Sequence, residues 1–171
     1  SLWRERVLPP VIDAVAAGQA RRDIASGSFR CDLLARARDR GRDVGFPLRW
    51  VEGRGEALPF EDRAFDTVVL TYAFCSVDDT ERTAREIARV IADGGQLVFA
   101  EHGLALDAGS RRVQRWLDPS WQRLAGGCRL DRDVVGALVA TDRFQLDWVH
   151  VREDWPRWMS TIRSGRMVAT S

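Results

Sequence analysis

The 171-residue chain contains no lysine, because all 26 of its basic residues are arginine. Without lysine there is no Schiff base, no phosphate loop of the Gly-Lys-Ser type and no Tyr-x-x-x-Lys reductase site. Genomic codon bias accounts for the arginines more simply than arginine-specific recognition. Cysteine is scarce too. Cys31, Cys75 and Cys128 are isolated and odd in number, with no C-x-x-C spacing, and only His102 and His150 are available to join them as ligands. Disulfides and structural zinc are not expected, and no metal site is assigned. Nor is there an excess of one charge: a net charge of +1 argues against nucleic acid or an anionic membrane as partner. The longest apolar stretch, around Thr67 to Cys75, is too short to span a bilayer, and "SLWRERVLPP" lacks the apolar core of a signal peptide. The expectation is a soluble cytoplasmic protein with no integral membrane segment. Its first residue is Ser1 and not Met, so a beginning that is trimmed, processed or simply not included is expected.

What the chain does have is the balance of one globular domain, 45% hydrophobic and 30% charged, and residues 1–171 are read as a single unit. No internal repeat divides it. "RERVLPPVIDAVAAGQA" reads as a helix with prolines in its first turn, and "CDLLARARDRGRDVG" as a second ending near Gly41 or Gly45. Between them, residues 21–31 show no clear periodicity. "PLRWVE" is a strand. Asp78 to Asp93 is the best-signalled helix, with Asp78 and Glu81 at capping-box spacing, Ala84, Ile87, Ala88 and Ile91 on one face, and Gly94 and Gly95 as its stop. "QLVFAEH" is a buried strand, Arg111 to Leu124 and Asp131 to Thr141 are helices, "FQLDWVHV" is a strand with an exposed face, and "GRMVATS" is the last strand.

The stretch "EALPFEDRAFDTVVL" sets an acidic, proline-containing turn against a short apolar run. That run, Asp66 to Tyr72, is too short for a helix and too apolar for a surface strand, so it reads as a central parallel strand. Alternating strands and helices imply a parallel sheet covered on both faces. Such sheets present their ligands to the carboxyl ends of the strands, which here points to Thr71, Tyr72 and the residues after them.

From "GRGEALPFEDRAFDTVVLTYAFCSV" through "EIARVIADGGQLVFAEHG", the chain resembles a class I S-adenosylmethionine-dependent methyltransferase of the type 11 domain kind. These segments match the family's adenine loop, fourth strand, following helix and fifth strand. The downstream "LAGGCRLDRDVVGALVATDRFQL" is similar to a small-molecule subgroup that includes alkyl-thiol methyltransferases. The resemblance implies an α/β, Rossmann-like, doubly wound and mostly parallel sheet with helices on both faces. It also implies S-adenosylmethionine as cofactor. The cofactor-binding positions carried over are Gly53, Arg54, Gly55, Glu56, Leu58, Thr71, Tyr72, Ala73 and Ser76. At Arg54 the family usually has Asp or a small polar residue, and a guanidinium offers the adenine amino group no acceptor. Phe60 and Asp66 are read as structural.

The sequence departs from the family upstream. "DIASGS" resembles the glycine-rich loop only faintly, because no apolar strand precedes it and Phe29 stands where a third glycine is expected. Aligned backward from "DLLARAR", the ribose-binding acid falls on Ser28. Two strands and a helix are therefore expected to be absent, and a strand-helix-strand unit needs roughly 30 or more residues. The expectation is that the sequence joins segments across a missing stretch between Ala20 and Asp32.

Methyl transfer from a sulfonium is an in-line displacement that requires positioning and exclusion of water more than a dedicated nucleophile. Tyr72 and Phe74 are candidates for cation–π attraction to the sulfonium, with core packing as the plainer role. For a hydroxyl acceptor, His102 just past the fifth strand is the candidate catalytic base, with a lining role as its alternative. Glu101 either orients His102 or satisfies the end of the strand. Trp116, Trp121 and Cys128 are candidate walls of an apolar acceptor pocket, although the tryptophans fit packing against the sheet equally well. His150 is read as structural. The expected function is methyl transfer to a small, apolar thiol, hydroxyl or lipid-like acceptor. The alternative is an inactive, methyltransferase-like scaffold that has lost its cofactor loop. A nicotinamide-dependent reductase is disfavoured by the missing lysine and glycine fingerprint.

Overall fold

The computed structural model describes residues 25–26, 49–51, 53–125 and 127–171. The two N-terminal helices expected from the sequence, the "DIASGS" loop apart from Ala25–Ser26, and Ser28 lie outside these residues. Strand β1 (Ala25–Ser26) pairs in parallel with β2 (Arg49–Trp50), Ala25 opposite Arg49. The "PLRWVE" strand is thus present at its centre. A strand also occurs within 21–31, where the sequence shows none; two residues are too few to give a periodic signal.

The larger sheet has the order β3-β4-β6-β5. β3 (Phe65–Thr71) runs parallel to β4 (Ile91–His102), with Val69 opposite Val98. β6 (Thr161–Ala169) is antiparallel to β4 and to β5 (Phe144–Glu153), so β3, β4 and β5 share one direction. β3 and β4 are the segments that resemble the family's fourth and fifth strands. Among the described residues β3 pairs with β4 alone, and Val69 is 38% exposed, so the strand is less enclosed here than its apolar run suggests.

Helix α1 (Thr80–Val90) connects β3 to β4. Asp79 caps it by accepting the Arg82 N–H at 2.9 Å, one residue later than the Asp78–Glu81 box predicts. Its Ala84, Ile87 and Ala88 are buried against the sheet with Phe74, Leu97 and Phe99, as the apolar stripe requires. The helix does not continue to Gly94. Ile91 turns extended to pair with Phe65, and the ladder then jumps to Thr67 opposite Gln96, leaving four residues in a bulge. The two glycines serve that bulge. Gly94 has φ +72°, and a Cβ on Gly95 would stand 3.0 Å from the Asp66 carbonyl oxygen.

α2 (Ala108–Leu124) begins three residues before the predicted Arg111, because the Asp107 carboxylate accepts the Ser110 N–H at 2.8 Å. α3 (Val134–Val139) is shorter than predicted, starting after its Asp133 cap. A short helix, α4 (Arg157–Ser160), leads into β6, which begins at Thr161, ahead of the predicted Gly165. None of the described helices is long and apolar enough to cross a membrane.

Candidate active site

The carboxyl ends of β3 and β4 are tied together by one side chain. Tyr72 leaves β3 with its N–H bonded to the Ala100 carbonyl at 3.0 Å and its backbone in the left-handed region, φ +47°. That conformation is uncommon for an aromatic residue and is held only where surrounding bonds fix it. Glu101 fixes the residues that follow Tyr72. Its Oε1 accepts the Ala73 and Phe74 N–H groups at 2.8 and 3.2 Å, anchoring the 3₁₀ turn Phe74–Ser76 to the end of β4. Glu101 is fully buried and its Oε2 has no hydrogen-bond partner. Burial is the main reason its pKa is pushed up to about 8, the Ala73 N–H opposing it. Of its two expected roles Glu101 shows the second, satisfying backbone at a strand end, and the strand is the neighbouring β3.

Beyond this turn lies a compact group of side chains. The Cys75 and Cys128 sulfurs are 3.2 Å apart, His102 Nδ1 is 4.0 Å from the Cys128 sulfur, and Ser76 Oγ is 3.6 Å from the Cys75 sulfur. The Tyr72 and His102 rings have centroids 6.1 Å apart. Trp121 borders Cys128, and its ring meets Trp158 edge-on at 6.3 Å. Trp116 does not join it, being 79% exposed. The buried residues of α2 are instead Gln114, bonded to the Ala105 N–H and Gly103 carbonyl, and Asp118, bonded to the Leu130 N–H. Helical phase turns those polar residues inward and Trp116 outward.

The loop 53–63 forms a second group against the start of α1. Glu56 is buried, and its Oε1 accepts the Asp78 and Asp79 N–H groups at 2.8 and 3.3 Å. Burial works against its charged form, but these N–H bonds and nearby Arg54 keep its carboxyl below the usual range. Arg54 is exposed and paired with Asp78 at 2.7 Å and with Glu56 at 3.6 Å. Gly55 is buried, and Gly53 packs so closely on Pro59 that a Cβ would stand 2.8 Å from its Cδ. Leu58 donates its N–H to Glu86 at 2.8 Å. Arg89 completes the anchorage, reaching the Phe60 and Leu58 carbonyls at 2.8 and 3.0 Å and the carboxylates of Asp62 and Glu86. Sequence reasoning missed Glu86 and Arg89. Their three-residue spacing on α1 was the available signal.

The sequence-derived residues therefore gather in two places joined by the segment 72–79. Tyr72, Ala73, Ser76 and His102 meet at the strand ends, and Thr71 is exposed beside them. Gly53, Arg54, Gly55, Glu56 and Leu58 sit in the anchored loop. A model of the methyltransferase domain family matches residues 14–99, half of the chain. The chain belongs to that family. It is 36% identical over 107 residues to human thiol S-methyltransferase TMT1A, covering 61% of this chain and 43% of the relative. Against demethylmenaquinone methyltransferase of Thermus thermophilus it is 37% identical over 79 residues, 46% of this chain and 36% of the relative. The chain thus spans less than half the length of these curated relatives. The N-methyltransferase NodS of Bradyrhizobium japonicum, solved with S-adenosyl-L-homocysteine, shares the fold: TM-score 0.63 at 14% identity, over 87% of this chain and 67% of that one.

Family membership makes S-adenosylmethionine the cofactor to test against the site. The described residues fit it at two points. The strand ends offer an exposed Thr71 and a fixed, left-handed Tyr72, and the anchored loop offers backbone beside Arg54 and Glu56 side chains that are already engaged.

Proposed function

We propose that this methyltransferase domain transfers a methyl group from S-adenosylmethionine to a small, apolar acceptor, and that the acceptor is a thiol. The observation that carries the acceptor class is the group at the strand ends, where Tyr72, Cys75, Cys128, Trp121 and His102 converge. These side chains are aromatic or sulfur-bearing, suited to a soft, weakly hydrated nucleophile. Likeness to a thiol S-methyltransferase supports the same reading. When bound, S-adenosylmethionine supplies an electrophilic methyl on a sulfonium. Gly53, Arg54, Gly55, Glu56 and Leu58 line its adenine end, through backbone and packing. Thr71, Tyr72, Ala73 and Ser76 line its methionine end, the Tyr72 ring adding cation–π attraction. Glu101 holds that turn in place. A thiol, with an ordinary pKa of about 8.5, reaches its thiolate with little assistance. A hydroxyl acceptor needs a base, and His102 takes that role.

The test is methyl transfer from radiolabelled S-adenosylmethionine to an alkane thiol, an aryl thiol and a phenol of matched size. Label in the two thioethers, and much less in the phenyl ether, is expected. Label in the phenol alone overturns the thiol assignment. A second reading, an inactive scaffold, is favoured by the lack of a clear glycine-rich loop in the sequence. No transfer to any acceptor, with no binding of the donor, supports it.

A further inference from the structure

We infer that Cys75 and Cys128 form a thiol–disulfide exchange site for low-molecular-weight disulfides, with Cys128 as the attacking sulfur and Cys75 as the resolving one. The two sulfurs stand 3.2 Å apart. An S–S bond is about 2.05 Å long, so closure needs a movement of roughly 1 Å. Both are free cysteines.

The juxtaposition is built by the backbone and not by the sulfurs. Cys75 lies in the turn held by Glu101, and its carbonyl accepts the Arg129 N–H at 2.9 Å, which sets the two segments side by side. The loop carrying Cys128 is fixed at both ends. On one side Gly127, with φ +94°, donates its N–H to the Gln122 carbonyl at 2.8 Å. On the other, buried Asp118 accepts the Leu130 N–H at 2.8 Å and the Gln122 side-chain amide at 2.5 Å.

Their surroundings divide the roles. Cys128 is half-buried and reachable, whereas Cys75 is 2% exposed. The contact with Cys75 holds the Cys128 thiol below its usual range, with burial opposing it. The same contact, together with burial, pushes the Cys75 thiol up. His102, 4.0 Å from the Cys128 sulfur, completes the polar surroundings. A partly exposed thiol in contact with a buried one is the arrangement that thiol–disulfide exchange uses.

The reaction balances without a further reagent. The Cys128 thiolate attacks one sulfur of a disulfide RSSR, the R–S–S–R bond breaks, and a Cys128–S–S–R bond forms as one RS⁻ leaves. The Cys75 sulfur then attacks Cys128, forming the Cys75–Cys128 bond and expelling the second RS⁻. The two cysteines are oxidised by two electrons, RSSR is reduced by two, and the two cysteine protons end on the two released thiols. Excess thiol drives the same steps backward. None of this requires methyl transfer.

The test uses the reduced full chain and oxidised glutathione as the probe disulfide, followed by acid quenching, alkylation and peptide mapping by mass spectrometry. The expected result is loss of both free thiols as a Cys75–Cys128-linked peptide. Cys75→Ser should retain glutathione on Cys128, and Cys128→Ser should leave Cys75 free for alkylation. If a variant fails to fold, the map of the unmutated chain decides. Free, alkylated Cys75 and Cys128, glutathione retained on Cys128 without the link, or reaction confined to Cys31 would each overturn the proposal.

Discussion

Glu101 is the residue on which the geometry of the strand ends depends most, and it carries a pH signature. Its pKa in the folded chain, about 8, stands above the ordinary carboxyl value of 4.5. Between those values the folded state holds a proton that the unfolded state has released. The associated stability is therefore full at low pH and is lost as pH rises from about 4.5 toward 8, at up to about 1.4 kcal/mol per pH unit. Glu101→Gln keeps an acceptor for the Ala73 and Phe74 N–H groups but does not titrate. Urea unfolding at pH 5, 6.5 and 8 should show a shallower loss of stability in the variant than in the parent. Parallel profiles would mean that Glu101 is already ionised at pH 5. At the same strand end, His102→Ala should slow methylation of a hydroxyl acceptor by roughly a hundredfold while changing thiol methylation only a few-fold. Equal, small effects on both acceptors would leave His102 a lining residue.

At the scale of elements, the loop 53–63 and the helix α1 behave as one unit, because Arg89 and Glu86 bind the loop from the helix. Arg89→Ala removes the contacts to the Phe60 and Leu58 carbonyls and to Asp62, and leaves Glu86 without its cation. Amide hydrogen exchange across the loop should rise at least tenfold while exchange in β4 stays near the parent value. Unchanged loop protection would show that Glu56 and Arg54 suffice to hold it. Periodicity made the buried face of α1 legible beforehand, since Ala84, Ile87 and Ala88 recur at helical spacing. The end of the helix was not, because paired glycines signal a helix stop and a strand bulge alike. That Thr71, Tyr72 and His102 stand at the carboxyl ends of neighbouring parallel strands was legible from the strand pattern. The bonds that build it were not. Glu101 meets Ala73 across 28 residues, and Cys128 meets Cys75 across 53, contacts that no local pattern encodes.

For the molecule as a whole, the sheet order β3-β4-β6-β5 places the two strand ends that matter next to each other, β3 against β4. The solved methyltransferase structure shares the fold. The central claim is that this framework binds S-adenosylmethionine, despite a sequence in which the glycine-rich loop is not clear. Isothermal titration of the full chain with S-adenosylmethionine, repeated with Gly55→Arg and Tyr72→Asp, tests it most directly. The account predicts saturable binding near one molecule per chain, lost in both variants while their unfolding midpoints stay close to the parent's. No heat of binding to the parent chain, or the same affinity in all three proteins, would contradict it.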